Sequence, residues 1–319
     1  MFVRDGGKCV FCSAPAVDAH HIMERRLWPD GGYYLDNGAS VCEEHHLACE
    51  RTDISTEAVR DACGIERALL PPHLEKRTVY DKWGNPVLPD GRRLRGELFR
   101  DESVQKILSG HLSLFTSWVK YPRTAYLPWS PGADQDLAMD PSVFEGRNVV
   151  VTEKMDGENT TLYRDYIHAR SLDSRHHESR DWVKKLQSEI GWEIPEGWRI
   201  CGENLWAKHS IEYTDLPSYF LAFSIWDEFN VCLRWAHTRE WLEMLGLTPV
   251  RVLYEGVYSE SAIKDSWDGR GEGYVVRATS AISYSDFRRL VGKYVRPDHV
   301  QTHGHWMRST IVKNGLKSG

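Results

Sequence analysis

The sequence lacks an excess of positive charge, since 40 Lys and Arg residues stand against 46 Asp and Glu residues, a formal net charge of −6. A uniformly basic nucleic-acid binder is therefore excluded, although local basic stretches can still form a binding face. No apolar run approaches the length of a membrane helix, and no apolar core of a signal peptide follows Met1. These absences lead us to expect a cytoplasmic protein.

Internal repeats and low-complexity segments are also absent, which excludes solenoids and disordered tails as the main architecture. The 319 residues leave room for two domains, and 41% hydrophobic with 27% charged residues is typical of a globular protein. Cysteine is the unevenly distributed residue. Four of the seven cysteines lie in the first fifty residues, namely Cys9, Cys12, Cys42 and Cys49. In a reducing compartment, such clustering indicates a metal site rather than disulfides.

Composition and turn signals divide the chain into three parts: 1–65 with the Cys/His cluster, 66–115, and 116–319. The middle part has turn signals at Gly84-Asn85-Pro86 and Pro89-Asp90-Gly91. These signals predict a hairpin, followed by a helix. The same connector holds the most basic local patch, formed by Arg92, Arg93, Arg95 and Arg100. From residue 116 onward, short apolar strands alternate with helical stretches.

The stretch VVVTEKMDGENTTLY places Lys154 directly after a β-branched run. A lysine at its ordinary pKa is a poor nucleophile, and burial, a neighbouring cation or a metal is needed to activate it. The run before it predicts a buried strand, and Gly157 permits the close backbone approach that a nucleotide phosphate needs. A strand that ends in a turn is the plain alternative.

Four later segments favour the nucleophile. RICGENLWAKHSI carries Glu203 after a strand, YFLAFSIWDE carries Phe223, GEGYVVRA presents Glu272 just before a strand, and RRLVGKYVRP places Lys293 in a late strand. In this order, the segments resemble the motifs of the covalent nucleotidyltransferases, which include the polynucleotide ligases and capping enzymes. The resemblance extends over residues 116–310.

Within that superfamily, the chain resembles the ATP-dependent RNA ligases. The first motif reads Lys154-x-x-Gly157-x-Asn159, the RNA-ligase form, whereas DNA ligases more usually carry an arginine near that asparagine. Only 26 residues follow Lys293. This leads us to expect no C-terminal OB-fold domain of the kind found in DNA ligases and capping enzymes. The resemblance implies an α+β fold, a nucleotidyltransferase (ATP-grasp-like ligase) domain of antiparallel sheets with flanking helices.

The resemblance also implies roles for individual residues. Lys154 attacks the α-phosphorus of ATP, AMP passes to a 5′-phosphate end, and a 3′-hydroxyl displaces the AMP to seal the strand. The other expected roles are phosphate neutralisation by Lys293, binding of Mg²⁺ or Mn²⁺ by Glu272 and Asn159, ribose binding by Glu203, stacking on adenine by Phe223, base reading by Glu153, and contact with the nucleotide or the 5′-phosphate by Arg170.

The chain departs from the family pattern in its last motif. The family commonly has two lysines separated by one residue, but here Val295 follows Lys293 at the second position. Arg296 and Lys208 are both candidates for the second cation. Glu272 and Lys293 also have a plain reading as a structural salt bridge, and Asp156 receives no firm role.

The N-terminal part begins with Cys9-x-x-Cys12, and Cys42-x-x-His45 follows about thirty residues later. Two such facing pairs are the ligand set of a tetrahedral structural zinc site. Cys49 is the alternative to His45 as fourth ligand.

The residues between these pairs resemble the HNH endonucleases, which have a small ββα-metal core. The resemblance implies that His21 is a general base, that Asn37 orients it, and that His20 and His46 bind a metal. The alternative is a zinc module that only binds nucleic acid. For the whole chain, the sequence favours an ATP-dependent polynucleotide ligase with an RNA substrate, and the alternative is an HNH-type binding or nicking protein whose ligase domain is inert.

Overall fold

The computed structural model describes residues 1–131, 138–172, 176–297 and 311–317, and the end of the predicted ligase segment, 298–310, lies outside these ranges. The chain divides into two compact units, Met1–Trp118 and Val119–Gly319. The first unit includes both the Cys/His segment and the segment predicted as a connector. Among the described residues, no helix combines the length and apolar character needed to span a membrane.

The first unit is built on a small hairpin and a helix that follow one another in the order ββα. Its helices and strands are β1 (Asp18–His21), β2 (Gly38–Val41), α1 (Glu43–Glu50), α2 (Thr56–Ala62) and α3 (Glu102–Ile107). β1 pairs antiparallel with β2, with His21 opposite Gly38. Ile22, which follows β1, packs with side chains of β2, α1 and α2 in a core that includes Val41 and Cys49.

The predicted hairpin in the connector is present as two tight loops rather than as long strands. Tyr80 bridges to Pro86, and Val87 bridges to Arg93. Asp81 explains the first loop, because its carboxylate accepts hydrogen bonds from the backbone of Trp83 and Asn85. The helix predicted after the hairpin is α3, and Asp101 caps it by accepting from the backbone of Ser103 and Val104.

The second unit contains two β-sheets. Its strands are β3 (Ala125–Tyr126), β4 (Asn148–Lys154), β5 (Glu158–Leu162), β6 (Ile167–Ala169), β7 (Arg199–Asn204), β8 (Phe220–Trp226), β9 (Val231–Cys232), β10 (Val252–Val257), β11 (Gly273–Ala278), β12 (Ile282–Ser283) and β13 (Val291–Val295). Its helices are α4 (Asp181–Ile190), α5 (Trp235–Met244), α6 (Glu260–Asp265) and α7 (Phe287–Leu290).

A five-stranded sheet has the order β10-β4-β11-β13-β3, and a six-stranded sheet has the order β12-β9-β8-β7-β5-β6. Neighbouring strands run antiparallel, apart from β13 and β3, which are parallel. One hydrophobic cluster contains residues of both sheets, such as Val151 of β4 and Trp226 of β8. The helices and antiparallel sheets confirm the predicted α+β class. The predicted buried strand before Lys154 is also confirmed, since Val149, Val150 and Val151 are fully buried.

Candidate active site

Lys154 lies where the chain leaves one sheet and enters the other. β4 of the five-stranded sheet ends at Lys154, and β5 of the six-stranded sheet begins only four residues later. Gly157 makes this short crossing possible, because a Cβ at this position would lie 2.6 Å from the carbonyl oxygen of Asn204. The Gly157 N–H donates to Glu203 Oε1 at 3.2 Å. The tight crossing therefore fixes the lysine beside β7.

A cavity of about 410 Å³ opens at this crossing. A volume of this size is typical of small-molecule and cofactor sites. One wall comes from β4, β11 and β13 and the other from β5, β7 and β8. Most of the residues predicted for nucleotide chemistry line the cavity together, namely Glu153, Lys154, Asn159, Arg170, Glu203, Phe223 and Lys293.

Glu272 directly contacts the lysine. Gly273 is the register partner of Lys154 between β11 and β4, so the preceding residue is brought alongside the end of β4. The Glu272 carboxylate accepts a hydrogen bond from Lys154 Nζ at 2.5 Å, and its side chain is only 7% exposed. A carboxylate in this position can accept the proton that the amine must lose before it attacks an electrophile.

Two ionisable groups of the cavity titrate unusually close to neutrality. Burial first, and then the positive charges of Lys154 and Arg170, lower the pKa of Lys293 to about 8. Burial raises the pKa of Glu203 to about 8, against the opposing effect of Lys154. Both pKa shifts favour the neutral form, because burial in the cavity wall disfavours charge. A bound group that supplies compensating charge would therefore change the protonation of both residues.

Asn159 offers an acceptor atom without a protein partner. Its Oδ1 is buried and receives no hydrogen bond from the described residues. A buried acceptor of this kind is costly unless a ligand, water or metal ion satisfies it. The carboxylates of Glu203 and Glu272 provide further hard oxygen atoms. This donor set fits a divalent cation of the Mg²⁺ or Mn²⁺ type.

The aromatic side of the cavity is formed by Phe223, which packs edge-on against Tyr121 with ring centroids 5.3 Å apart. At the β4 side, burial raises the pKa of Glu153. Phe223 and Glu153 thus both line the cavity, an aromatic ring and a carboxyl group of the kinds that adenine stacking and base reading require.

The sequence analysis missed a loop that closes one side of this cavity. The Asp156 side chain accepts hydrogen bonds from the Ser210 N–H, the Ser210 hydroxyl and the Ile211 N–H, each at 2.7 to 2.8 Å. This anchoring holds His209, which directly precedes Ser210, in the cavity wall. Asp156 therefore has a structural role in the site. No local pattern around His209 indicates this position, because it depends on a contact more than fifty residues away in sequence.

The second cation of the last motif has two candidates, and neither belongs to the cavity wall. Lys208 Nζ donates to Glu212 Oε2 at 2.7 Å in a surface pair. Arg296 follows β13, and its Nε is buried without a hydrogen-bond partner among the described residues.

In the first unit, the two predicted zinc pairs face each other. The ligand atoms of Cys9, Cys12, Cys42 and His45 all lie within 4.8 Å of one another. His45 Nδ1 is 3.1 Å from Cys42 Sγ, 3.6 Å from Cys9 Sγ and 3.8 Å from Cys12 Sγ. Three thiols and one imidazole in this arrangement fit a tetrahedral zinc ion. Cys49, the alternative fourth ligand, is instead buried in the core, where burial raises its pKa to about 12.

A second cluster contains His20 and His46 together with Glu50, which the sequence analysis missed. Their ligand atoms also lie within 4.8 Å of one another. Glu50 Oε1 is 3.4 Å from His20 Nδ1 and 3.2 Å from His46 Nε2. The His20 Nδ1 atom is buried without a hydrogen bond among the described residues. Two imidazoles and a carboxylate fit a divalent transition metal.

An internal cation shares this second cluster. The ammonium group of Lys82 is 3.0 Å from Glu50 Oε1 and donates to the carbonyl oxygen of His21 at 3.0 Å. Lys82 is only 4% exposed. A metal ion at the cluster would therefore compete with this ammonium group for the same carboxylate oxygen.

His21 follows His20 in β1, and Asn37 directly precedes β2. The His21 ring is partly exposed and contacts Tyr33 edge-on, with centroids 5.4 Å apart. Asn37 is buried and binds the backbone of Met23 and Gly32 with its side chain. In the described residues, Asn37 makes no hydrogen bond to the His21 ring. Any influence of Asn37 on His21 therefore acts through the loop between β1 and β2.

The four arginines of the basic patch at residues 92–100 differ in exposure, since Arg95 and Arg100 are exposed and Arg93 is buried. Arg93 is 8% exposed and donates to the side chains of Thr52 and Asp81. The Arg95 guanidinium lies over the Phe99 ring, 5.2 Å from its centroid. The sequence shows the charge of this segment, but it does not show that Asp81 is buried and binds the side chain of Arg93.

The cavity of the second unit brings together an amine, carboxyl groups and further cations. Residues 147–295 match the family model described as RNA ligase. The match begins just before β4, ends with β13 and includes Lys154, Glu203, Glu272 and Lys293. It supports ligase function in general for this part of the chain. No curated protein matches the sequence.

Solved structures of a Naegleria gruberi RNA ligase are similar to part of the chain. Its structure with pyrophosphate shares 18% sequence identity and a TM-score of 0.41, covering 57% of this chain and 56% of that one. A variant of the same ligase with ATP and manganese shares 15% identity and a TM-score of 0.40, covering 59% of each chain. A variant with AMP and manganese shares 14% identity and a TM-score of 0.39. The chain thus spans less than two thirds of the length of that ligase.

Proposed function

We propose that the second unit is an ATP-dependent RNA ligase domain that works through a lysine-linked AMP at Lys154. The contact between Lys154 and Glu272 is the observation that carries this proposal, because it joins a nucleophile to a proton acceptor inside a nucleotide-sized cavity. The match of residues 147–295 to the RNA ligase family supports the same reaction class.

In the first step, Lys154 Nζ forms a bond to the α-phosphorus of ATP while the bond from that phosphorus to the pyrophosphate oxygen breaks. Glu272 accepts the proton that leaves the amine. Lys293 and Arg170, which line the same cavity, neutralise the negative charge on the phosphates in this proposal. A divalent cation held by Asn159 and Glu272 supplies further charge neutralisation when bound.

In the later steps, the same residues hold AMP for transfer. A 5′-phosphate oxygen of a polynucleotide attacks the AMP phosphorus, the bond to Lys154 breaks, and the amine takes back a proton from Glu272. A 3′-hydroxyl then attacks the 5′-phosphorus and gives its proton to solvent, while the bond from that phosphorus to AMP breaks and the phosphodiester forms. Glu203 and Phe223 bind the ribose and adenine throughout, so that the reacting phosphorus keeps its position relative to the lysine.

Labelling the protein with ATP radiolabelled at its α-phosphate tests the proposal. We expect a labelled protein band that added pyrophosphate removes, and no band for Lys154→Arg, which keeps the positive charge but not the nucleophile. Lys185→Ala is the matched control, since its side chain is 76% exposed on α4. Equal labelling of Lys154→Arg and the wild type would contradict the assignment of the nucleophile.

A second candidate function concerns the first unit. We propose that this unit holds zinc at Cys9, Cys12, Cys42 and His45 and that it binds nucleic acid. The convergence of His20, His46 and Glu50 beside His21 also favours metal-dependent phosphodiester cleavage, with His21 as the base. We expect His21→Ala to abolish any Mg²⁺-dependent or Mn²⁺-dependent cleavage of nucleic acid while the labelling of Lys154 persists. Unchanged cleavage by that variant would exclude His21 as the base.

A further inference from the structure

A second cavity, in the first unit, is not used by either proposed activity. It has a volume of about 520 Å³ and lies between α1 with its C-terminal turn and the segment from Lys106 to His111. Glu50, Arg51, Asp53, Lys106 and His111 supply its charged and ionisable lining. Because Glu50 also belongs to the cluster with His20 and His46, the cavity borders that cluster.

The charges in this cavity are unequally partnered. Both of its carboxylates are engaged, since Glu50 Oε1 is 3.0 Å from Lys82 Nζ and Asp53 Oδ1 is 3.2 Å from His111 Nε2. The side chains of Arg51 and Lys106 are exposed and have no hydrogen bond or ion pair with any described residue. Two cations therefore face the cavity without internal neutralisation.

The cavity also has apolar surface beside these cations. Leu47 is 48% exposed, and Ile107 is half-buried at the same opening. Free cations next to exposed aliphatic surface match the chemistry of a nucleic-acid strand, in which phosphates alternate with sugars and bases. A compact anion such as inorganic phosphate would contact the cations but not the aliphatic side chains.

We infer that this cavity is a binding site for the backbone of single-stranded RNA, with Arg51 and Lys106 each contacting a phosphate. A strand held there passes beside Glu50 and the His20/His46 cluster. This inference rests on the proposed function in one respect, namely that a polynucleotide is the substrate. It assigns the electrostatic contacts with the strand to Arg51, which directly follows α1, and to Lys106 of α3.

The test measures the affinity of the full-length protein for a short fluorescein-labelled single-stranded RNA at several salt concentrations. The variant is the double substitution Arg51→Ala and Lys106→Ala. The matched control is the double substitution Arg67→Ala and Lys76→Ala, which removes the same charges from exposed positions of the first unit outside the cavity.

We expect the cavity variant to lose about tenfold in affinity near physiological salt. Its plot of log affinity against log salt should be shallower by about two, one for each lost phosphate contact. The control should stay close to the wild type in both respects. Equal losses in the variant and the control would overturn the inference, because the effect would then reflect net charge alone.

Two further measurements give the inference independent support or refute it. Asp53→Asn removes a negative charge from the cavity and should strengthen RNA binding, and weaker or unchanged binding would count against the site. Inorganic phosphate, added while the ionic strength is held constant, should not displace the RNA. Displacement would overturn the assignment to a strand. Labelling of Lys154 with AMP is measured in the same samples. If the cavity variant loses RNA binding but the wild type is not labelled, the ligase proposal alone is refuted. If the wild type is labelled but the cavity variant binds RNA as tightly as the wild type does, this inference alone is refuted.

Discussion

Lys293 and Glu203 give the candidate nucleotide site an unusual dependence on pH. With a pKa of about 8, Lys293 is positive below pH 8 and neutral above it. With a pKa of about 8, Glu203 is neutral below pH 8 and negative above it. A rise in pH through this window therefore makes the charge of the cavity more negative at both groups. Lys154 and Glu272 influence both titrations, Arg170 and Arg123 lower the pKa of Lys293, and Asp156 raises that of Glu203.

We predict that the affinity for an ATP analogue with a methylene group between its α- and β-phosphates falls as the pH rises from 7 to 9. If a single group controls binding, the loss approaches about tenfold per pH unit above its pKa. Lys293→Arg should flatten the profile, because a guanidinium keeps its charge throughout this range. Calorimetric titration across the pH range measures the affinity and the proton uptake. A flat wild-type profile would contradict the prediction.

Individual residues also differ in how well the sequence indicates them. Glu50 was within reach of sequence reasoning, because it follows His46 by four positions on α1, and this spacing places both side chains on the same helix face. Lys82 was not, since it comes from a loop beyond α2 and meets Glu50 only in the folded unit. His209 is a similar case, because its position depends on the contact between Asp156 and Ser210.

At the level of secondary-structure elements, residues 311–317 act as a strap on the second unit. Asn314 is 2% exposed and binds two backbone groups with its side chain and one tyrosine hydroxyl with its main chain. Its Nδ2 donates to the Leu205 carbonyl, its Oδ1 accepts from the Tyr213 N–H, and its carbonyl accepts from the Tyr219 hydroxyl. The strap thereby fixes the ends of the loop that carries His209.

We predict that Asn314→Ala destabilises the second unit by about 1–3 kcal/mol, because it leaves the Leu205 carbonyl and the Tyr213 N–H without their buried partners. Labelling of Lys154 should also weaken, since the loop beside the cavity loses its anchor. Urea unfolding followed by the labelling assay measures both effects. Val312→Ala is the control, because its side chain is 49% exposed in the same strap. Equal stability of the two variants would show that the strap does not depend on Asn314.

The elements of the second unit are largely predictable from the sequence. β-branched and apolar runs predict β4, β7, β8, β11 and β13, and all five strands are present. The strap is not predictable, because Asn314 has no periodic apolar neighbours and its partners lie about one hundred residues earlier. Local pattern thus indicates which segments form strands, whereas side-chain hydrogen bonds between distant segments determine the loops around the cavity.

On the scale of the whole molecule, each unit has its own hydrophobic core. The first unit has small clusters, among them one with Ile22, Val41 and Cys49 next to the four predicted zinc ligands and one with Trp83, Val104 and Leu108. The second unit has larger clusters, one of which joins residues of both sheets. A small core gains much from a metal site, whereas a larger core does not need one.

We predict that chelation of zinc unfolds the first unit but leaves labelling of Lys154 intact once Mg²⁺ is restored. A structural zinc site contributes on the order of 10 kcal/mol to folding, and the core around Cys9 and Cys49 is too small to replace it. The candidate active-site cavity, by contrast, is lined by residues of the second unit as far as the structure describes the chain. Circular dichroism melting, zinc release to a dye and the labelling assay report the three outcomes. Cys12→Ser should reproduce the effect of chelation, whereas Cys63→Ser, outside the four-ligand cluster, should retain zinc. An unchanged melting curve after metal removal would exclude a structural zinc ion, because the first unit would then fold on its apolar core alone.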